Sequence, residues 1–235
     1  MKAVAAAVSS TAVSSTAVTT TALFTTLFIA MTDSHAQQAT PSAVPGYAYG
    51  QRTLAPAPST LADLKSLQAA LLFTEDDVKA LRQSKAILAD QTDAILDVWY
   101  GFVAGTPELV HFFSNAKTGQ PDGAYLEAVR KRFALWILDT ADARMDQAWL
   151  DWQHEIGLRH NRAKKNQTDR ADSVAQVNFR YLPALTIPIT TTLKPFLARK
   201  GASAADVEKM HAAWVKSVLL QSILWSQPYI KDGQF

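Results

Sequence analysis

The chain has 235 residues, of which 48% are hydrophobic and 19% charged, and its formal net charge at pH 7 is +2. This composition is typical of a soluble globular protein, and the charge is too small to predict a nucleic-acid partner. The sequence contains no cysteine, which excludes disulfides, iron-sulfur clusters, thiolate-ligated haem and covalent haem attachment through CxxCH.

Residues 1–36 differ in composition from the rest of the chain. Lys2 is their only cation, and the apolar run from Ala22 to Met31 is too short to span a bilayer. Ser34 and Ala36 are small residues at the positions that define a cleavage site. The pattern predicts a signal peptide over 1–36 and a periplasmic or secreted protein without stable membrane insertion. The alternative is a mis-assigned start codon and a disordered leader on a cytoplasmic protein.

From Thr60 onward the hydrophobic pattern is helical, and no alternating run predicts a strand, so we expect an all-α fold. Before it, residues 37–59 contain four prolines and are predicted to be extended. Thr60, Thr74 and Ser203 each have an aspartate three residues later, as in a capping box at a helix N-terminus. The predicted helices are 60–71, 75–104, 107–114, 122–141, 145–161, 170–199 and 204–226.

The predicted helix 170–199 contains Pro183 and Pro188. Each proline removes a backbone donor and crowds the preceding turn, so we expect this helix to be kinked. A kinked helix can wrap a flat ligand, or it can follow a curved core.

One histidine lies at the C-terminal end of the apolar face of the predicted helix 145–161. At about 100° per residue, Trp149, Gln153, Ile156 and His160 lie on one side of the helix, so His160 points inward. A neutral imidazole in an apolar site can ligate the iron of a haem. From spacing alone, a hydrogen-bonded core histidine is the commoner explanation.

The other histidines give weaker signals. The fragment from His154 to Leu158 begins like HExxH but lacks the second histidine, which excludes a zinc-protease site. His154 and His160 point about 240° apart on the helix and cannot share a metal. His111, beside two phenylalanines, could approach a pocket, whereas His211 is predicted to lie on a helix surface.

Aromatic and cationic residues elsewhere could complete a haem pocket. Adjacent Trp99 and Tyr100 could line one wide cavity, with the Tyr100 hydroxyl as a hydrogen-bond donor to a bound gas. Arg130 and Arg132 precede Phe133 and could bind haem carboxylates. Core packing for the rings and solvent exposure for the arginines are the alternatives. No nucleophile elbow or phosphate-binding loop is present, so we predict no catalytic residues.

Several ordered motifs resemble those of the protoglobins, single-domain relatives of the globin-coupled sensors. The resemblance covers about residues 45–235. Its motifs are Pro45-Gly-Tyr-Ala-Tyr-Gly50, Leu72-Phe-Thr-Glu75, Trp99-Tyr-Gly-Phe102, Arg132-Phe-Ala-Leu-Trp-Ile-Leu-Asp139, Trp152-Gln-His-Glu-Ile-Gly-Leu-Arg-His160, Arg180-Tyr-Leu182, Leu193-Lys-Pro-Phe196 and Leu224-Trp-Ser226.

This resemblance implies a globin fold, a three-over-three helical sandwich with an extra N-terminal helix. It further implies an N-terminal extension over 37–59 that covers the haem, a globin-like haem domain over 60–235, and non-covalent haem b. By motif position His160 matches the proximal iron ligand, and Trp99, Tyr100 and Phe133 match distal residues. Leu185 matches a distal position where relatives can carry a bulky aromatic residue, which implies a roomier pocket. A homodimer through helices 170–199 and 204–226 is also implied.

Three functions follow as hypotheses. The first is a haem protein that reversibly binds O2, CO or NO at a five-coordinate iron, as carrier, scavenger or sensor. The second is a haem enzyme, either a nitric oxide dioxygenase, a peroxidase-like enzyme or a catalyst of carbene transfer. The third is a haem-free helical interaction protein in which Trp99, Tyr100 and Phe133 fill a closed core.

Overall fold

The computed structural model describes residues 44–231, 233 and 235. This part of the chain is helical and contains no strand, although two isolated β-bridges are present. The predicted signal peptide lies outside the described residues. The helices are α1 (Leu61–Ala70), α2 (Glu75–Leu88), α3 (Thr92–Ala104), α4 (Pro107–Val110), α5 (Gly123–Asp142), α6 (Gln147–His160), α7 (Tyr181–Ala184), α8 (Thr186–Thr191), α9 (Lys194–Leu197) and α10 (Ala204–Ser226).

The predicted caps begin the helices at which they were expected. The backbone N–H of Thr60 donates to the Asp63 carboxylate at 2.8 Å, and the Thr60 hydroxyl accepts from the Asp63 backbone at 3.2 Å. Ser203 accepts from the Asp206 backbone in the same way at the start of α10. These bonds satisfy backbone donors that have no partner within the first turn of a helix.

The single helix predicted over 75–104 is wrong, because the chain breaks between α2 and α3. The Gln91 side chain donates to the backbone carbonyls of Ile87 at 2.6 Å and of Phe196 at 3.2 Å. It thereby satisfies one carbonyl at the end of α2 and ties the break to α9.

The helix predicted over 170–199 is also wrong. Residues 170–180 are not helical, and the remainder forms the short helices α7, α8 and α9. Prolines cannot donate a backbone hydrogen bond, and threonine hydroxyls compete for the helix carbonyls. Within α8 and at its end, the Thr190 hydroxyl donates to Thr186 at 2.9 Å and the Thr192 hydroxyl to Pro188 at 2.6 Å.

The last long helix, α10, organises the core by packing against α2, α5, α6 and the short helices α7, α8 and α9. The helix α3 packs against α5 and α8. The approach of α6 to α10 requires Gly157, where an added Cβ would lie 3.0 Å from the Cα of Trp225. No helix in the described part of the chain is long and apolar enough to cross a membrane.

Candidate haem site

A cavity of about 180 Å³ lies among α3, α5, α6, α8 and the end of α10. Aromatic and aliphatic side chains form most of its wall. The charged side chains of the lining are those of Arg132, Arg159, Lys165 and Asp169. Five of the six residues predicted as site residues line this cavity, and they are Trp99, Arg132, Phe133, His160 and Leu185.

His160 is the last residue of α6, and its ring is held by the helix itself. The Nδ1 atom lies 2.8 Å from the carbonyl oxygen of Ile156, so Nδ1 carries the proton and Nε2 keeps its lone pair. Burial lowers the pKa of His160, which favours the neutral imidazole. A neutral ring with a free Nε2 lone pair is the form that ligates a metal.

Trp225 supports the His160 ring from α10. The two rings are stacked with their centroids 5.7 Å apart and their planes 14° from parallel. The indole of Trp225 is itself fixed, because its Nε1 donates to the buried Gln153 side chain at 2.8 Å. Gly157 permits this arrangement, since any larger residue would separate α6 from the Trp225 backbone.

Trp99 and Phe133 form another part of the wall. Their rings meet edge to face with centroids 5.0 Å apart. The Trp99 Nε1 donates to the carbonyl oxygen of Leu185 at 2.9 Å, which places Leu185 against the cavity. Because this donor is already used within the protein, Trp99 presents an apolar surface.

Tyr100 is the sixth of the predicted site residues. It is buried, but it is not among the residues that line the cavity. Its hydroxyl donates to the carbonyl oxygen of Leu126 at 3.3 Å, and the Arg130 guanidinium lies over its ring. Adjacent helical residues point about 100° apart, so a wall position for Trp99 turns Tyr100 toward α5.

Arg132 joins three distant parts of the chain beside the cavity. Its guanidinium binds the Asp169 carboxylate through two contacts of 2.9 and 2.5 Å, and it donates to the Pro45 carbonyl at 3.1 Å. Both side chains of the ion pair are 12% exposed. Such a shielded, two-point pair is stronger than an exposed one.

Arg159 makes a similar connection from α6. It donates to the Gly46 carbonyl at 2.6 Å and to the Glu155 carboxylate at 2.9 Å, and Lys164 also binds Glu155, at 2.7 Å. Arg132 and Arg159 therefore hold the segment around Gly46 against the edge of the cavity.

Lys165 also lines the cavity. Charged residues of such a loop could meet haem carboxylates but are more often solvated, and Lys165 is only 4% exposed. Its ammonium group donates to the carbonyl of Phe112 at 2.9 Å and to the hydroxyl of Ser173 at 3.2 Å. Burial lowers its pKa to about 8. Phe112 lies 53 positions away in the sequence, so no local pattern could reveal this burial.

The remaining candidates lie away from the cavity lining. Arg130 pairs with Asp97 at 2.8 Å and not with a cavity group. His111 and His154 do not line the cavity. His211, expected on a surface, is partly buried and bonds the Thr190 carbonyl at 2.8 Å.

These residues fit a haem. An apolar wall suits the porphyrin, and His160 offers a nitrogen ligand for the iron. The charged groups of the lining comprise three cations, Arg132, Arg159 and Lys165, and one carboxylate, Asp169. A net excess of cations is what two haem carboxylates require.

A protein-family model described as Protoglobin matches residues 60–235. The chain belongs to the protoglobin family. A comparison of the sequence with curated proteins found no match. This protoglobin is similar in structure to the globin domain of the Geobacter sulfurreducens globin-coupled sensor, with a TM-score of 0.55, 14% identity, and coverage of 71% of this chain and 97% of that domain. The likeness confirms the predicted globin fold.

Proposed function

We propose that this protoglobin binds one non-covalent haem b, with His160 as the proximal ligand, and reversibly binds small gaseous ligands at the open side of the iron. When bound, the haem supplies an iron with one free coordination position for O2, CO or NO. The protein's own residues hold the cofactor, keep the site apolar and fix the protonation state of the ligand histidine.

The observation that carries this proposal is the hydrogen bond from His160 Nδ1 to the Ile156 carbonyl. A backbone carbonyl is a neutral acceptor, so the imidazole stays neutral and acquires little anionic character. A carboxylate at that position would withdraw the proton more strongly and increase the basicity of the ligand.

The wall made by Trp99, Phe133 and Leu185 agrees with small, weakly polar ligands. The Trp99 Nε1 hydrogen is engaged by the Leu185 carbonyl, and the Tyr100 hydroxyl is directed at the Leu126 carbonyl. Diatomic gases lose little hydration when they enter such a site, whereas charged substrates would lose much more.

The test is a haemin titration of the full-length apoprotein, followed by reduction and exposure to CO. We expect one haem per chain, a five-coordinate ferrous spectrum and a reversible shift on CO binding. His160→Ala should weaken haem binding by more than about tenfold, and added imidazole should restore the spectrum.

The matched control is His154→Ala, on the same helix but away from the cavity lining. It should leave haem binding and the CO shift unchanged. If His160→Ala keeps a normal five-coordinate ferrous spectrum, His160 is not the ligand. If the wild-type chain takes up no stoichiometric haem, the haem-free interaction protein is the correct description.

A further inference from the structure

An aromatic pair leads from the cavity toward the protein surface. Trp152, on α6, lines the cavity and is 3% exposed. The ring of Tyr47 packs edge to face on Trp152 with the centroids 5.4 Å apart. Tyr47 itself is half-buried in the segment that Arg132 and Arg159 hold against the cavity edge. Two oxidisable rings in contact therefore connect the cavity with solvent.

The Tyr47 hydroxyl faces a proton acceptor. It lies 2.9 Å from both Oδ1 and Oδ2 of Asp139, on α5. A phenol that loses an electron becomes a strong acid, so its oxidation is easy only where a base lies within hydrogen-bond distance. Asp139 is such a base, already aligned with the O–H bond that has to break.

We propose that Trp152, Tyr47 and Asp139 form an oxidation relay, through which peroxide that reacts in the haem-loaded cavity oxidises Tyr47 and, from there, small phenols or ascorbate at the surface. This activity rests on the haem binding proposed above but not on the reversible binding of a gas.

The relay balances in electrons and protons. Reduction of one hydrogen peroxide to two water molecules breaks the O–O bond and consumes two electrons and two protons. Each oxidation of Tyr47 supplies one electron through the Trp152 ring and breaks the phenol O–H bond, and the proton passes to an Asp139 oxygen and then to solvent. One hydrogen atom from an external phenol or ascorbate then restores Tyr47. Two such cycles reduce one peroxide.

The charged groups around Trp152 and Tyr47 favour the oxidation of Tyr47 through the Trp152 ring. The pKa of Asp139 is raised to about 7, mainly by burial and also by nearby Asp142, although the Tyr47 hydrogen bond and Lys85 act to lower it. Asp139 is therefore a carboxylate base above neutral pH and still accepts a proton readily. The Arg159 guanidinium lies over Trp152, 5.1 Å from the ring centroid, and disfavours a positive charge that stays on Trp152. An electron from Tyr47 therefore replaces the one that Trp152 loses.

Two other tyrosines lie nearby but lack this arrangement. Tyr125 lines the cavity, but its ring packs against Phe113, with the centroids 5.9 Å apart. Tyr49 stacks on Trp152 at 6.4 Å, but its buried hydroxyl has no hydrogen-bond partner among the described atoms. Both serve as matched controls.

The experiment uses full-length haem-loaded protein mixed with one equivalent of hydrogen peroxide, frozen within seconds and examined by electron paramagnetic resonance. We expect a tyrosyl radical signal that is lost in Tyr47→Phe and kept in Tyr49→Phe and Tyr125→Phe. Asp139→Asn should slow its formation by about 100-fold. A nitroso spin trap, followed by peptide mass spectrometry, should label Tyr47.

The outcomes separate this proposal from the proposed function. Haem content and the CO spectrum are recorded first for each variant. Normal spectra with an undiminished radical in Tyr47→Phe, or a radical lost in Tyr125→Phe instead, would overturn the relay alone. Failure of the wild-type chain to bind haem would overturn both. Haem that binds but gives no reversible CO shift would overturn the proposed function and leave the relay intact if the Tyr47 radical forms.

Discussion

The indole Nε1 of Trp99 donates a hydrogen bond to the backbone carbonyl of Leu185 at 2.9 Å, which ties α3 to the junction between α7 and α8. Two residues that line the cavity are thereby fixed relative to each other, although 86 positions separate them in the sequence. This bond stabilises the fold and also limits the size of the ligand site.

Trp99→Phe should therefore affect stability and ligand entry together. A partly buried Leu185 carbonyl left without its donor should cost roughly 1–3 kcal/mol, measured as the free energy of unfolding in urea. The smaller ring also widens the cavity, so CO should associate faster after flash photolysis.

The control for that substitution is Trp214→Phe. Trp214 is fully buried, does not line the cavity, and its Nε1 has no hydrogen-bond partner within the described structure. This variant should lose packing energy but keep the wild-type CO association rate. Equal CO rates in wild type and Trp99→Phe would show that Trp99 does not restrict the site.

Gly46→Ala should loosen the segment held by Arg132 and Arg159. Gly46 has φ +76°, and an added Cβ would lie 2.5 Å from Thr168 Cγ2 and 3.1 Å from Arg132 Nη1. Gly50→Ala provides the comparison, since Gly50 has φ +74° but open space around it. The strain of a positive φ, about 1 kcal/mol, is common to both variants.

Only Gly46→Ala should therefore accelerate haem transfer to an acceptor protein and cleavage by protease near residue 46. Equal behaviour of the two variants would mean that backbone strain, and not contact with Arg132 and Thr168, determines the effect.

Asp139 should make stability depend on pH. Its pKa is about 7 in the folded chain and 3.8 ordinarily, so the folded chain keeps a proton that the unfolded chain releases. The contribution is complete below about pH 4 and is lost as the pH rises toward 7, by roughly 2–4 kcal/mol. Asp139→Asn should remove this decline, measured as urea unfolding from pH 4 to 8.

Tyr47→Phe tests the raised pKa of Asp139 with a substitution that should raise this pKa further. The Tyr47 hydrogen bond lowers the pKa of Asp139 in the folded chain, so its loss should extend the decline to higher pH while its start stays near pH 4. An identical pH profile in wild type and Asp139→Asn would show that Asp139 keeps an ordinary pKa in the folded protein.

Lys165→Met should weaken haem retention while leaving the apoprotein stable. The Phe112 carbonyl keeps a donor, because the Ser173 hydroxyl binds it at 3.0 Å. If the Lys165 ammonium binds a haem carboxylate, its loss should speed haem dissociation by about tenfold, the effect of one charge-assisted hydrogen bond. Lys164→Met is the control, since Lys164 pairs with Glu155 and does not line the cavity. Equal haem dissociation from both variants would contradict this role.

The homodimer implied by family resemblance can be tested on α10. Val215 and Leu219 lie one turn apart on that helix and are 40% and 46% exposed. Glutamate at both positions should give a monomer in sedimentation velocity, because charge would be buried at an apolar interface. Phe102→Glu, on α3 and 43% exposed, should leave the mass unchanged. A wild-type monomer at high concentration would refute the dimer.

Local sequence signals identified much of the fold. Thr60 and Ser203 marked helix starts because a capping hydroxyl and a carboxylate three residues later act within one turn. The break at Gln91 was missed, since one of its two bonds reaches the carbonyl of Phe196, 105 residues away. The prolines correctly indicated disruption of 170–199, but the threonine hydroxyls that divide it further were not recognised.

The candidate site was predictable where motifs or helical periodicity placed a ring against the core. His160, Trp99 and Phe133 line the cavity, as does Arg132. Tyr100 does not, because its helix can direct only one of two adjacent residues at that wall. The burial of Lys165 depends on Phe112 and on Ser173, which no periodic pattern connects with it.

The contacts of Arg132 with Pro45 and Asp169 also constrain when the cofactor can enter. One guanidinium requires residues from the beginning, middle and later part of the chain to be in place simultaneously. This part of the cavity rim is thus completed only after the chain has been synthesised and folded at least as far as Asp169. A chain that crossed a membrane unfolded would have to acquire its haem on the far side, and stable haem retention would report that folding had finished there.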